Sequence, residues 1–343
     1  MQSLINFYMG INSKVTSLAL LRGIAVLAVC FCHFGKPVST GTVFPEFFKL
    51  LGEYGKYGVH IFFVISGFVI PFSLDKAKYT IKDYFLFLYK RLLRLHPPYI
   101  AGLVFTLIIA AASYHSRHLP NPETPMTIFK SLFYMHAPYD NPVFWTLKIE
   151  AEYYIFVGIF FALLTKFPKP ALIIGIPALA LLSLTPITEY IGLFSFITFF
   201  LIGTVGYLIY VKAGNIIVEY LVLLALVTFS FFHFELPASI VSSLTVLCIL
   251  YFKRPVSSVL EFPGEISYSI YLIHFPLGVK LINLLQRHVG LSYYWVIFFV
   301  ALVVCFIFAY VFWQFIEKPS AKLSNGVRYG KAKVNFENFS LKS

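Results

Sequence analysis

The chain has 343 residues, 59% of them hydrophobic and only 12% charged, with a mean hydropathy of +0.81. A soluble domain carries about 25% charged residues, so soluble enzymes and nucleic-acid-binding modules are excluded as descriptions of the whole chain. The net charge of +12 needs no nucleic-acid partner, because loop bias in a membrane protein accounts for it.

The first apolar run, 17–34, holds Arg22 and His33 eleven residues apart. Eleven residues of α-helix make nearly a whole number of turns, so both side chains share one face, roughly 16 Å apart along the axis. A cation and an imidazole on a membrane helix avoid lipid and line a cavity or buried path. No small-residue cleavage site follows the run, which reads as a retained first helix. About ten spans are predicted, near residues 15–35, 57–74, 96–114, 142–165, 170–187, 190–211, 216–234, 237–252, 266–287 and 292–316. The fold class is therefore all-α, a polytopic membrane helix bundle occupying residues 1–318, followed by a basic tail, 319–343. With the N-terminus inside, Lys76, Lys78, Lys82, Lys90, Arg91, Arg94, Lys166, Lys169, Lys212, Lys253, Arg254 and the basic residues after Glu317 all face the cytoplasm. That bias sets an N-in/C-in orientation.

The segment Tyr79–Leu95 mixes aromatic and basic residues and reads as an amphipathic surface helix, with a bend predicted at Pro97 and Pro98. The loop His115–Asn141 is placed outside and is too rich in proline for a continuous helix. The tail after Pro319 is expected to be cytoplasmic and mostly disordered. Cys30, Cys32, Cys248 and Cys305 all lie in apolar runs, and Cys30-x-Cys32-His33 is a poor chelate because positions i and i+2 point to different sides of a helix. No metal site and no disulfide framework are predicted.

Polar residues inside spans are site candidates by default. His33 and Glu150 map to the outer half, Arg22 deeper toward the cytoplasm. His60 and His274 lie in the second and ninth spans. Each histidine also has a plain reading as a cross-helix hydrogen-bonding residue. Lys148 and Glu152, four apart, can pair along the helix, which leaves Glu150 without a local partner. A histidine beside a carboxylate is what moving a hydroxyl proton requires. Arg91 and Arg94, three apart, suit lipid headgroups or grip phosphate.

Six segments together resemble the acyltransferase-3 family of bacterial membrane proteins. They are Leu21-Arg-Gly-Ile-Ala25 through His33, Gly58-Val-His-Ile-Phe-Phe-Val-Ile-Ser-Gly-Phe68, Arg91-Leu-Leu-Arg-Leu-His-Pro-Pro-Tyr99, Phe144-Trp-Thr-Leu-Lys-Ile-Glu150, Gly264-Glu-Ile-Ser-Tyr-Ser-Ile-Tyr-Leu-Ile-His-Phe-Pro276 and Phe315-Ile-Glu-Lys-Pro319. The resemblance implies a multi-pass protein of the bacterial inner membrane. It implies transfer of an acyl group, usually acetyl, from cytosolic acyl-CoA to a hydroxyl of a surface glycan such as O-antigen or exopolysaccharide, or of a lipid-linked sugar. Acetyl-CoA would be a donor substrate, with no permanently bound cofactor. The resemblance assigns activity to Arg22, His33, Arg91, Arg94 and Glu150, and the reading of Arg91 and Arg94 as a phosphate clamp makes them the expected donor-binding pair. His60, His274, Tyr271 and Trp145 within the motifs are further candidates. Arg22 is left between the donor and the oxyanion. Many members have an acidic residue where His60 stands and a neutral one near Glu152. No Gly-Asp-Ser run marks an appended SGNH hydrolase domain, so a stand-alone membrane unit is expected. The rival is a carrier or exporter of polysaccharide or lipid-linked intermediates that performs no acyl transfer.

Overall fold

The computed structural model describes residues 17–40, 42–327 and Tyr329. Its principal helices are α1 Ser17–Val38, α2 Pro45–Tyr54, α3 Gly58–Lys76, α4 Tyr84–Ser116, α5 Pro125–Leu132, α6 Trp145–Lys166, α7 Pro168–Leu184, α8 Ile197–Val211, α9 Ile216–His233, α10 Leu236–Tyr251, α11 Ser258–Glu265, α12 Ser267–Leu285, α13 Tyr294–Phe312 and α14 Lys318–Gly326. No strand occurs among the described residues. Six helical stretches are long and apolar enough to cross a membrane: Ser17–Val38, Pro45–Lys76, Ile81–Ser116, Ile216–His233, Ser267–Leu285 and Leu291–Gly326. The 22 residues of α6 include Lys148, Glu150 and Glu152 in its first turns, and α7, α8 and α10 are shorter apolar helices.

The short helix α8 is central. Every residue from Ile197 to Ile209 is buried, which is the signature of a helix that is apolar all round and enclosed by others. At 15 residues it spans roughly 22 Å. Its main neighbour is α3, and the two backbones touch. A Cβ on Gly67 would fall on the carbonyl of Phe200, and one on Gly203 would fall on the carbonyl of Val64. The Thr204 hydroxyl donates across this seam to the Gly67 carbonyl at 3.1 Å. In lipid, where burial of apolar surface between helices gives little, close approach at small residues supplies the attraction. The same device seats α1, because a Cβ on Gly264 of α11 would fall on the carbonyl of Ala19.

Helix α4 runs unbroken for 33 residues through Pro97 and Pro98. The surface helix and the third span expected on either side of a bend are thus one element. The prolines remove two N–H donors, so the carbonyls of Leu93 and Arg94 lose their helical partners. The tail expected to be disordered from residue 319 begins as helix α14, and the Ser324 hydroxyl donates to the Lys90 carbonyl at 2.9 Å. The remainder of that expected tail, apart from Val327 and Tyr329, lies outside the described residues.

The connection between α4 and α6 does not stay at the surface. Tyr99 donates to the Ser131 carbonyl beside α5, and His96 Nδ1 lies 3.2 Å from the Tyr134 hydroxyl. Asn141 is fully buried and its side-chain amide donates to Thr106 Oγ1 (3.1 Å) and to the Leu272 carbonyl (3.0 Å). Tyr99 and Thr106 lie roughly 22 and 33 Å along a helix of about 50 Å. The segment therefore turns back into the bundle, and α6 starts inside it. Irregular backbone at such depth is tolerated where protein buries it, and the Asn141 amide ties the segment to α4 and α12.

Gly67→Val is expected to force α3 and α8 apart at a backbone contact, at a cost of about 1–3 kcal/mol. Size-exclusion chromatography and thermal unfolding of the detergent-purified variant check this. Unchanged monodispersity and melting temperature would show that the seam tolerates separation.

Candidate functional site

Helices α1, α3, α4, α6 and α12 and the turn after α13 enclose a cavity of about 130 Å³. Its charged and polar lining is Arg22, Arg91, Arg94, Glu150, Tyr154, Ser267, Tyr268, Tyr271 and Glu317, with Thr146 and Ser66. Phe62, Phe63 and Val69 of α3 form an apolar wall.

Each group is placed by ordinary helix geometry. Arg91 and Arg94 are three apart on α4 and so share a face. The Arg91 guanidinium lies 5.4 Å from the Phe87 ring centre and 5.5 Å from that of Tyr154, and both rings stabilise the cation through their π faces. On α6 the Tyr154 hydroxyl donates to Glu150 one turn away. Arg22 Nε–H donates to Ser267 Oγ at 3.1 Å, and Ser267 Oγ donates to the Gly264 carbonyl at 2.8 Å. Glu317 closes the five-residue π turn Trp313–Glu317 and accepts the Ser269 N–H at 3.1 Å and the Ser269 hydroxyl. It thereby caps the first turn of α12, where a carboxylate suits the helix dipole. Tyr268 donates to the Leu95 carbonyl at 3.0 Å, tying α12 to α4 beside Arg94.

Three guanidinium groups thus face two carboxylates, a net charge of +1 on the lining. No ion pair within 4.0 Å joins any of the three to Glu150 or Glu317 among the described residues. The carboxylates lower the cost of the arginines without consuming their donors. Such a lining is complementary in charge to an anion, and planar guanidinium forks match the geometry of phosphate oxygens.

The structure brings together four of the five principal residues singled out in the sequence: Arg22, Glu150, Arg91 and Arg94. Two readings change. Glu150 has a local partner, Tyr154, and it lies among the arginines rather than beside His33, because α6 begins within the bundle. The Lys148–Glu152 pair forms at 3.7 Å, and Glu152 also accepts the Leu193 N–H at 2.7 Å, so this carboxylate serves the α6 to α8 connection. His33 is outside the cavity lining. Its ring packs against His274 (centroids 5.3 Å apart) and Phe275 (5.0 Å). Tyr271 belongs to both places: it lines the cavity, and its ring centre is 5.6 Å from that of His274. Its hydroxyl lies 2.6 Å from Thr146 Oγ1.

The other candidates lie elsewhere. His60 packs on Phe199 at 4.6 Å, and Trp145 lies half-exposed against Phe196 at 5.2 Å, neither of them in the cavity. Lys90 donates to the Val327 carbonyl at 2.6 Å and lies over the Tyr329 ring. The four cysteines are free. Sequence reasoning left Glu317 and Tyr154 out of the site. An acidic residue in the apolar stretch Trp313-Gln-Phe-Ile-Glu317 was the available signal for the first, and spacing of four from Glu150 the signal for the second.

The chain belongs to the acyltransferase-3 family, described as an acyltransferase domain, whose model matches residues 15–312, nearly the whole chain. No curated protein and no solved structure matches it. Membership places the chain among membrane acyltransferases. Glu317 lies just beyond the matched residues.

Glu317→Gln leaves three cations facing one carboxylate and is expected to cost about 1–3 kcal/mol. Adding Arg22→Gln in the same chain is expected to recover part of that loss. Thermal unfolding of the single and double variants checks it, and strictly additive losses would show that the two side chains do not share a field.

Proposed function

We propose that this acyltransferase moves an acetyl group from cytosolic acetyl-CoA to a hydroxyl of an extracytoplasmic glycan, across a bundle of about ten spans oriented N-in/C-in. The observation that carries the reading is the gathering of Arg22, Arg91, Arg94 and Glu150 in one cavity, with His33 eleven residues further along α1. The phosphates of the donor bind the three guanidinium groups, and the pantetheine arm runs along α1. The distance from Arg22 to His33, roughly 16 Å of helix, suits an extended arm. Tyr271, which bounds the cavity on the side of the two imidazoles, lines its route.

At the far end the thioester meets the acceptor. Neutral His33 takes the proton of the sugar hydroxyl as its oxygen bonds to the thioester carbon. The tetrahedral intermediate then collapses, the carbon–sulfur bond breaks, and the proton on His33 passes to the departing CoA thiolate. The products are an acetyl ester and CoA-SH, and no other reactant is needed. Glu150, fixed by Tyr154, balances the arginine charge and orders the donor rather than the base.

Several outcomes follow. His33→Ala is expected to lower acetyl transfer by about 10² to 10⁴, the range for a positioned general base, with membrane expression unchanged. The measurement is transfer of radiolabelled acetyl-CoA to envelope glycans, with mass spectrometry of glycans from cells with and without the gene. Wild-type turnover in the variant removes His33 as the base. Arg91→Ala and Arg94→Ala are each expected to raise KM for acetyl-CoA about tenfold while leaving KM for S-acetyl-pantetheine, which lacks the nucleotide, unchanged; each lost charge-assisted contact is of that size. Glycan movement across vesicles with no acetyl transfer and no acetyl-CoA binding would replace the enzyme reading with the carrier.

A further inference from the structure

We propose that His274 is the positioning residue for His33, accepting its ring N–H and so presenting the other ring nitrogen, without a proton, to the hydroxyl. The inference rests on the reading of His33 as base and adds a second residue to it.

His274 is fully buried and opens a six-residue π turn, His274–Val279, inside α12. Such wide turns interrupt the regular ladder and are frequent at functional sites. Its Nδ1 lies 2.8 Å from the Tyr271 carbonyl and 3.2 Å from the Ile270 carbonyl. Carbonyl oxygens only accept, so Nδ1 carries the proton. A charged ring would place a second N–H at Nε2 with nothing to receive it, which burial makes costly. The ring is therefore neutral, and Nε2 presents a lone pair.

That lone pair is unanswered. His274 Nε2 is buried and has no hydrogen-bond partner among the described residues. Buried polar atoms in folded proteins nearly always have one, and an exception calls for an explanation. Four rings surround it: His33 at 5.3 Å, Tyr271 at 5.6 Å, Phe34 at 6.3 Å and Phe275 at 6.5 Å. The phenylalanines have no donor, and the Tyr271 hydroxyl donates to the Val143 carbonyl at 3.0 Å. Only His33 brings a ring N–H. Imidazoles with centroids 5.3 Å apart bring facing nitrogens to about 3 Å when the rings turn toward each other, which is hydrogen-bond distance. Backbone carbonyls thus fix the tautomer of His274, and His274 fixes the tautomer of His33. When His33 takes the hydroxyl proton, its imidazolium keeps that acceptor. The charged and titratable groups acting on the pair are Lys36 on α1, Tyr271 on α12 and Cys305 on α13, which packs at Gly278 one turn further on. Among these groups there is no carboxylate to do the orienting, so the imidazole takes that role.

The test uses the full-length protein in nanodiscs. His274→Phe keeps the ring and removes the acceptor. His274→Gln keeps an acceptor near the Nε2 position. His274→Phe is expected to lower kcat at least tenfold with KM for acetyl-CoA unchanged, and to move the acid limb of the kcat/KM profile to lower pH, because the imidazolium of His33 has lost its acceptor. His274→Gln is expected to restore most of kcat and the wild-type limb. A readout that needs no activity is nitrogen-15 NMR of the His33 ring: one tautomer in the wild type, a mixture in His274→Phe. Wild-type kcat in His274→Phe overturns the proposal. So does a fall in activity with the acid limb and the tautomer unmoved, which marks a packing role only. If instead His33→Ala retains full turnover, it is the earlier reading of His33 that fails, and the NMR result still decides whether the two rings are coupled.

Discussion

Three guanidinium groups inside an apolar bundle constrain nearly everything else in the molecule. A lone charge in the hydrocarbon region is costly, so each arginine needs polar neighbours supplied by other helices. Ser267, Tyr154, Glu150 and Glu317 supply them, from α12, α6 and the turn after α13, and the Phe87 ring on α4 itself adds a π face to Arg91. Among the described residues no short ion pair neutralises the three, so the lining keeps a net positive charge.

This constraint also accounts for the inward turn of the chain between α4 and α6. Glu150 is the sixth residue of α6. If α6 began at the outer surface, that carboxylate would sit far from Arg22 and Arg94. Burying Asn141, Val143 and Phe144 lowers the start of the helix to the level of Thr106 and Leu272 and carries Glu150 to the arginines. The buried amide of Asn141 anchors the segment at that depth, to Thr106 of α4 and to the Leu272 carbonyl of α12.

Much of this was legible in the sequence, and the limits are physical. Hydropathy located the helices, since a bilayer sets both their length and their composition. The eleven-residue spacing placed Arg22 and His33 on one face of α1. What hydropathy does not encode is where along the membrane normal a helix begins. The segment rich in proline was read only as a loop, whereas Ser131, Tyr134 and Asn141 bring parts of it against the middle of α4. Nor does local spacing reveal partners distant in sequence: Arg22 with Ser267, Glu317 with Ser269, and His33 with His274 join residues that only the fold makes neighbours. Pro97 and Pro98 stand inside a helix rather than at its end. A proline pair ends most helices, but in lipid the alternative to a helix is an unpaired backbone, and α4 continues through both.

Helix α1 shows why one element can serve two chemistries. Its residues near Arg22 meet α11 and the start of α12, where glycines admit close backbone approach and Ser267 reaches the guanidinium. Eleven residues later the same face meets the π turn of α12, where His33 packs on the rings of His274 and Phe275. The first setting is polar and gathers three guanidinium groups with two carboxylates. The second packs the His33 ring on a second imidazole and on an aromatic ring. Helix α1 keeps these two settings at a fixed separation, and Tyr271 belongs to both, lining the cavity and holding its ring centre 5.6 Å from that of His274. On the proposed reading, the span that a donor must cover is therefore set by the rise of one helix.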